Sequence, residues 1–207
     1  MRLFKRHKDK NLIIQDNGVE KDKNLIIQDN GVGNVIVVPD TSKFVSTKII
    51  INASNCRIFI KNVRYIRYTN IIIYNGDNQT VIIDDNVSIE GASFYCCAKY
   101  SEVHIHKECM LAAGIQIWTG DGHSIFDKNS NKILNKIKNK VIIREHVWVA
   151  QDVKLLKAAK IPANSIVGAN AVVAGSFKTE NVVIVGNPAK IIKTNVTWNR
   201  QDPWQEE

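Results

Sequence analysis

The 207-residue sequence lacks any uninterrupted apolar stretch near the roughly 20 residues that a helix needs to span a bilayer. Its basic N-terminus leads into Lys8-Asp9-Lys10 instead of the long apolar segment of a signal peptide. Cysteine is scarce, and the four cysteines lack zinc-site spacing and would make an awkward disulfide framework: Cys56, Cys96, Cys97 and Cys109. We therefore expect a cytoplasmic protein with reduced thiols, one main domain and no membrane span.

Acidic residues are outnumbered, because 28 lysines and arginines face 20 aspartates and glutamates, which leaves a formal net charge of +8. A positive balance favours an anionic partner, and nucleic acid, an acidic glycan and the phosphates of CoA are all candidates. It is equally compatible with a merely solvated basic surface. The basic residues are scattered along the chain and not gathered on one helix face, which argues against a nucleic-acid-binding helix.

The N-terminal region contains an identical tandem repeat. The segment KDKNLIIQDNGV runs from Lys8 to Val19 and returns unchanged from Lys21 to Val32. Identity at every position points to a recent duplication of coding sequence more than to two separately refined structural units. We interpret residues 1–34 as an irregular N-terminal extension, which either tunes activity or anchors a partner, or is a tolerated surface insertion.

From residue 141 the sequence divides into units of six residues. The first position of each unit is small or β-branched: Val141, Val147, Val153, Ala159, Ser165 and Ala171. The third position is a large aliphatic residue: Ile143, Val149, Leu155, Ile161, Val167 and Val173. A period of six fits neither an α-helix, with about 3.6 residues per turn, nor a hairpin meander with irregular turns.

A six-residue period fits a solenoid whose coils have flat sides, with the third-position side chains pointing inward and stacking from coil to coil. The small first-position residues would lie where the chain turns. A β-sandwich is the structural alternative, but its strands would need longer alternation and Gly- or Asn-rich hairpin turns. We predict an all-β parallel β-helix over residues 35–185 and a cap over 186–207, in which the chain turns at Pro188 and forms a short C-terminal helix.

The six-residue frame lapses between Trp118 and Val141, which predicts one protruding loop over residues 119–140. His123 is the only histidine in it, and imidazole has the unperturbed pKa best suited to removing a proton near neutral pH. Asp121 is near enough in sequence to hold the ring in the required tautomer, and the flanking glycines allow close backbone approach to a substrate. A histidine in a polar loop is also compatible with simple solvation, so composition alone leaves its role open.

Three runs carry a resemblance to a known family: CMLAAGIQIWTGDGHSIFD from Cys109, HVWVAQDVKLLKAAKIPANSIVGANAVV from His146, and GNPAKIIK from Gly186. Together they resemble the hexapeptide-repeat acetyltransferases, and within these the subgroup that O-acetylates sialic-acid capsular polysaccharides. The resemblance covers residues 81–200. It implies a left-handed β-helix, a homotrimer with active sites between neighbouring subunits, and acetyl-CoA as the donor without a metal.

The resemblance also implies roles for individual residues. His123 would be the general base for the acceptor hydroxyl. Trp148, in the H-V-W motif, would lie by the thioester end of CoA and help catalysis. Further contacts with the pantetheine arm and phosphates of CoA would come from Gln151, Ala169, Ala174, Gly175 and Lys190. The sequence departs from the family pattern where Ala150 and Ala158 replace glycine and Ser124 replaces proline.

The subgroup implies a surface polysaccharide as acceptor, and the basic residues that precede the catalytic coils suit an anionic one: Arg57, Lys61, Arg64 and Arg67. Alternative acceptors are a neutral sugar of lipopolysaccharide, a galactoside or an amino sugar. A γ-type carbonic anhydrase on the same fold would need three converging histidines, such as His104, His106 and His123. His104 and His106 are two residues apart on one strand, so both side chains would point outward. A non-catalytic solenoid that binds an anionic polymer is the remaining alternative.

Overall fold

The computed structural model describes residues 5–6, 12–15, 18–135 and 140–204, with side chains from residue 22 onward. These residues form 24 strands and one 3₁₀ helix, Thr41–Lys43, and contain no α-helix. The strands are β1 (Lys5–Arg6), β2 (Leu12–Gln15), β3 (Gly18–Lys21), β4 (Leu25–Asp29), β5 (Val35–Val38), β6 (Phe44–Val45), β7 (Thr47–Ile51), β8 (Arg57–Ile60), β9 (Tyr65–Arg67), β10 (Asn70–Ile73), β11 (Thr80–Ile83), β12 (Ser88–Ile89), β13 (Ala92–Cys96), β14 (Glu102–Ile105), β15 (Met110–Leu111), β16 (Ile115–Trp118), β17 (Lys140–Ile143), β18 (Trp148–Val149), β19 (Lys154–Leu155), β20 (Lys160–Ile161), β21 (Ile166–Val167), β22 (Val172–Val173), β23 (Val182–Gly186) and β24 (Ala189–Thr194).

The strands stack into three sheets that wind as a left-handed parallel β-helix of about 7 turns, which confirms the predicted fold class. Sheet A has the order β1-β2-β5-β8-β11-β14-β17-β20, sheet B the order β22-β19-β16-β13-β10-β7-β4-β3, and sheet C the order β24-β23-β21-β18-β15-β12-β9-β6. Each turn of the coil passes from sheet B to sheet A and then to sheet C. We call the corners between consecutive sheets the A/B edge, the C/A edge and the B/C edge.

The hydrophobic core fills the centre of the coil along its whole axis. The strand register stacks Ile71 between Ile49 and Phe94, so that each inward side chain contacts its counterpart one coil away. Every residue of the two predicted columns between Val141 and Val173 is 0% exposed. Burying one large aliphatic side chain contributes about 1.5–3 kcal/mol. Because these side chains are buried against the coils above and below, each coil is stabilised by its neighbours.

The corners are tight turns that place one residue in the left-handed backbone region. Asparagine often fills this position, with φ between 55° and 61°, at Asn55, Asn78, Asn86, Asn164, Asn170 and Asn181. Asparagine tolerates the conformation because its short polar side chain hydrogen-bonds locally. Ala158 also adopts it, with φ of 65°, whereas Ala150 is not among the residues with positive φ. Of these two alanines, only Ala158 is therefore conformationally strained.

Both ends of the solenoid reverse the strand direction. At the N-terminal end β1 pairs antiparallel with β2, β2 with β5, and β3 with β4. The two copies of the tandem repeat consequently have different partners. The first copy contributes β2, antiparallel to β5, whereas the second contributes β4, which pairs in parallel with β7. The predicted boundaries of the N-terminal extension (1–34), the β-helix (35–185) and the cap (186–207) stay predictions.

The predicted C-terminal helix is wrong. Strand β24 occupies that segment and pairs antiparallel with β23, with Ile184 opposite Ile191. The turn between them begins at Gly186, whose φ of 99° favours glycine. The β-branched Ile191 and Ile192 suit a strand, and the open side of sheet C offers backbone partners that a short helix would leave unpaired. In the described part of the chain, no helix is long and apolar enough to cross a membrane.

Candidate active site

The protruding loop leaves the solenoid at the A/B edge after β16 and returns with β17. Thr119 at its start is fully buried, and its hydroxyl accepts a hydrogen bond of 3.0 Å from the backbone N–H of Cys97. Gly120 packs so closely that a Cβ there would lie 3.2 Å from Cys97 Sγ, and Gly122 has a φ of 76°. Both glycines therefore set the direction in which the loop leaves the coil.

Asn135 fastens the loop around His123. Its Nδ2 donates to the backbone carbonyl of His123 at 2.8 Å and to Asp121 Oδ2 at 2.7 Å. Its Oδ1 accepts a hydrogen bond of 2.9 Å from the backbone N–H of Ile125. The ring of His123 is exposed and has no hydrogen-bond partner within the described residues. Asn135 thus fixes the backbone of His123 and leaves its imidazole free to meet a substrate.

The carboxylate of Asp121 is bound by side chains other than His123. Lys157, from the A/B edge of the following coil, forms an ion pair and hydrogen bond with Asp121 Oδ2. Burial tends to raise the pKa of Asp121, but the hydrogen bonds from Lys157 and Asn135 outweigh it and lower that pKa. Across residues 18–135 and 140–204, no contact joins this carboxylate to the imidazole of His123. In the single chain Asp121 anchors the loop, and its expected role in holding the histidine tautomer stays a prediction.

Trp148 lies on the opposite side of the coil. It projects outward from β18 of sheet C, next to the inward Val149, and is 37% exposed. The register places it between Met110 and Ile166 on the outer surface. In a three-sided coil, the face formed by sheet C lies opposite the A/B edge, so one chain keeps Trp148 and His123 apart. A site that uses both side chains needs two copies of the protein.

The other residues expected to bind the donor are divided between two corners and the C-terminal hairpin. Gln151 and Ala169 are exposed on successive coils at the B/C edge. A groove of about 360 Å³ at this edge is lined by Gly114, Gln116, Asp152, Lys154, Asn170, Val172 and Asn187. Ala174 and Gly175 follow β22 at the A/B edge, and Lys190 is exposed on β24. Their contacts with a donor stay predictions.

Sequence reasoning missed two C-terminal residues that surround the H-V-W motif. The ring of Trp198 stacks on His146 with centroids 4.6 Å apart, and it lies 6.2 Å from the ring of Trp148. Arg200 lies over Trp198 and donates a hydrogen bond of 2.8 Å to Ser88 Oγ. The one available signal was a tryptophan within a polar tail, since so large an apolar ring is costly to leave in water.

Asp84, His104 and His106 are the one group, in the described ranges, whose ligand atoms are spaced for a metal ion, all within 4.8 Å of one another. The two imidazoles stack 3.9 Å apart on the outside of sheet A, as expected. Asp84 Oδ2 lies 2.9 Å from His104 Nε2, and Oδ1 lies 2.7 Å from Lys61 Nζ. Burial tends to raise the pKa of Asp84, but hydrogen bonds from Lys61 and His104 lower it overall. The ammonium already balances this carboxylate, so the charges favour an ion-pair network over a metal centre.

No family profile matches the chain. A polysialic acid O-acetyltransferase of Neisseria meningitidis is 33% identical over 192 residues, which cover 82% of this chain and 87% of that protein. The chain belongs to the hexapeptide-repeat acetyltransferases. As a hexapeptide-repeat acetyltransferase it is an enzyme of the acyltransferase class.

Further relatives of this hexapeptide-repeat acetyltransferase are similar over different lengths. A polysialic acid O-acetyltransferase of Escherichia coli O1:K1 is 34% identical over 122 residues, which cover 59% of this chain but 39% of that protein's length. WbbJ of Escherichia coli strain K12, named as a lipopolysaccharide biosynthesis O-acetyl transferase, is 30% identical over 164 residues, 66% of this chain and 82% of that protein. The crystal structure of the polySia specific acetyltransferase NeuO superposes with a TM-score of 0.74 at 28% identity, covering 89% of this chain and 93% of that one. Sequence and fold therefore place the chain in the same family as these acetyltransferases.

Proposed function

We propose that this enzyme transfers the acetyl group of acetyl-CoA to a hydroxyl of an anionic surface polysaccharide, a capsule that contains sialic acid. The observation that supports this most strongly is the 33% identity to a polysialic acid O-acetyltransferase across 87% of that relative. Because acetyl-CoA is a cytoplasmic metabolite, we infer that the reaction takes place in the cytoplasm.

In this proposal His123 is the general base. Its imidazole takes the proton of the acceptor hydroxyl while that oxygen attacks the carbonyl carbon of the thioester, which contributes about 10²–10⁴ in rate. A C–O bond forms and the C–S bond breaks, and the proton passes from the imidazolium to the departing sulfur of CoA. The exposed ring on a fastened backbone suits this role, because it is accessible to substrate while its position is restricted.

Direct attack requires no nucleophilic side chain. All four cysteines are buried and free, and burial raises the pKa of the Cys109 thiol to about 12. A thiol with such a pKa is not ionised at neutral pH and is therefore a poor nucleophile. We infer that acetyl-CoA and the acceptor bind together and react in one ternary complex.

We further propose a homotrimer in which the A/B edge of one protomer meets sheet C and the B/C edge of its neighbour. This is supported by the division of the proposed site residues into two groups on different sides of the coil. The first group contains His123, Ala174 and Gly175, and the second contains Trp148, Gln151 and Ala169. A site confined to one chain would leave one of the groups unused.

Basic side chains on β8, on β9 and in the turn between them support an anionic acceptor. Lys61 and Arg67 each form an ion pair with a carboxylate of the same chain. Arg57 and Arg64 are exposed and have no ion-pair partner within the described residues. The carboxylates of a sialic acid polymer would supply such partners, and guanidinium groups bind carboxylates through two parallel hydrogen bonds.

A lipopolysaccharide sugar is the second candidate acceptor, because the chain is 30% identical to WbbJ across 82% of that protein. The test offers acetyl-CoA with polysialic acid, with a lipopolysaccharide O-antigen or with a neutral glycan. Release of the CoA thiol is followed spectrophotometrically, and the acetylated position is identified by NMR. We expect release that depends on polysialic acid. Release with the O-antigen alone would favour the second candidate, and no glycan-dependent release would contradict both.

A further inference from the structure

The C-terminal strap, residues 195–204, runs back along the C/A edge after β24 and is fastened to successively earlier coils. The backbone N–H of Val196 donates a hydrogen bond of 3.0 Å to the carbonyl of Asn181. In return, Asn181 Nδ2 donates a hydrogen bond of 3.2 Å to the carbonyl of Val196. Trp198 Nε1 donates to the carbonyl of His146 at 2.9 Å. These bonds hold the strap at defined positions along the outside of the solenoid.

Trp198 is the buried residue of this strap. It is 8% exposed, although the residues on either side of it, Thr197 and Asn199, are exposed. Its ring lies parallel to the imidazole of His146, at an interplanar angle of 8°, and tilted at 47° to the ring of Trp148. Trp198 thus covers two of the three residues of the H-V-W motif, which it reaches from about fifty positions away in sequence.

Arg200 secures the strap beyond Trp198. Its Nη1 donates to Ser88 Oγ at 2.8 Å, and its Nη2 donates to the carbonyl of Cys109 at 3.0 Å. The carbon of the guanidinium lies 5.7 Å from the ring centroid of Trp198. A guanidinium bound to two earlier coils and packed over one ring restricts where that ring lies.

We propose that Trp198 is a positioning residue for acetyl transfer, which fixes the ring of Trp148 so that the two rings form one apolar wall for the acyl-thioester end of the donor. The inference rests on the proposed function and on the expected place of Trp148 by the thioester end of CoA. A tryptophan that is 37% exposed on a flat β-face has rotamer freedom that a neighbouring ring removes. Misplacement of a reacting group by about 1 Å costs about a hundredfold in rate, so restraint of this wall matters for catalysis.

The experiment compares Trp198→Phe, Trp198→Ala and Arg200→Gln with the control Trp204→Phe, a tryptophan of the same strap that is 86% exposed. Assays with acetyl-CoA and polysialic acid are run well below each variant's melting temperature. We expect Trp198→Ala to lower kcat by about ten- to a hundredfold. Trp198→Phe, which keeps a ring but loses the N–H donor, should recover most of the loss, Arg200→Gln should reduce kcat, and the control should match the wild type. Full activity of folded Trp198→Ala would overturn the proposal.

A second readout needs no activity. The protein is labelled with 5-fluorotryptophan, and its fluorine resonances are assigned from the single Trp→Phe variants. We expect the Trp148 resonance to shift or broaden in Trp198→Ala and Arg200→Gln and to stay in place in the control. An unmoved Trp148 resonance in both variants overturns the positioning role, whatever the assay gives. A wild type that acetylates no glycan, with a Trp148 resonance that does move, contradicts the proposed function and leaves the strap's hold on Trp148 established.

Discussion

Replacing Asn135 with alanine tests whether the loop must be fastened for catalysis. The side chain joins three points of the loop: the carbonyl of His123, the carboxylate of Asp121 and the backbone N–H of Ile125. Alanine removes all three hydrogen bonds without touching the proposed base. The bonds lie in an exposed loop outside the core, so the coils themselves should be unaffected.

The expected magnitude follows from the number of bonds lost. Each hydrogen bond contributes about 0.5–1.5 kcal/mol net, and the solvent exposure of the loop favours the lower half of that range. The three together therefore restrain the loop by roughly 2 kcal/mol. If His123 reacts only from the fastened arrangement, a loss of this size lowers kcat by up to about thirtyfold, since about 1.4 kcal/mol corresponds to a factor of ten.

The assay measures kcat and KM with acetyl-CoA and polysialic acid, together with the melting temperature. Asn129→Ala is the matched control, because Asn129 lies in the same loop and, among the described residues, forms a hydrogen bond only through its backbone N–H. Asn135→Asp should resemble Asn135→Ala, because aspartate keeps an acceptor for Ile125 but places a second negative charge beside Asp121. Unchanged turnover in Asn135→Ala, with unchanged melting, would refute the claim that the loop must be held.

Three further predictions are independent of this one. His123→Ala should lower turnover at least about a hundredfold while acetyl-CoA still binds, and Trp148→Ala should also lower turnover in a fully folded protein. A normal rate in either variant would remove the role assigned to the replaced residue. Ala158→Gly should raise the free energy of unfolding by about 0.5–1 kcal/mol, because glycine relieves the left-handed strain at some entropic cost. Ala150→Gly should lower the free energy of unfolding, because Ala150 has no such strain to relieve and only the entropic cost remains. Chemical denaturation that gave the opposite order would contradict this prediction. Prolonged EDTA treatment should leave activity unchanged, and a loss reversed by Zn²⁺ would make the Asp84 cluster a metal centre.

The coils could be predicted because their physics repeats. Each unit of six must bury a large side chain and turn sharply, so both columns are visible in the sequence and both are fully buried in the structure. The tandem repeat shows the limit of such reasoning. Two identical segments give β2, antiparallel to β5, and β4, parallel to β7, because the alternating LIIQ pattern suits either pairing and only the neighbouring strands decide.

The site could be predicted only where its residues are close in sequence. The lapse in the six-residue frame predicted the loop with His123, and Trp148 stands out within H-V-W. Asn135 and Trp198 escaped because they act on residues 12 and 52 positions away, without any period that relates them. The C-terminal helix was wrong for a related reason: the unpaired side of sheet C, which a strand completes, exists only once the coils have stacked.

The reversed strands at the two ends of the solenoid also limit how these molecules associate. A bare terminal coil would offer its backbone to the first coil of another copy, and repeated addition of that kind produces fibres. Here β2, β3 and β24 run antiparallel to the coil strands β5, β4 and β23 that they cover, so these coil strands are already paired with backbone of opposite direction. The strands that no reversed strand covers are β6 at the N-terminal end and β20 and β22 at the C-terminal end, and each is only two residues long. In the described part of the chain, these features therefore disfavour the addition of one coil end to another along the axis.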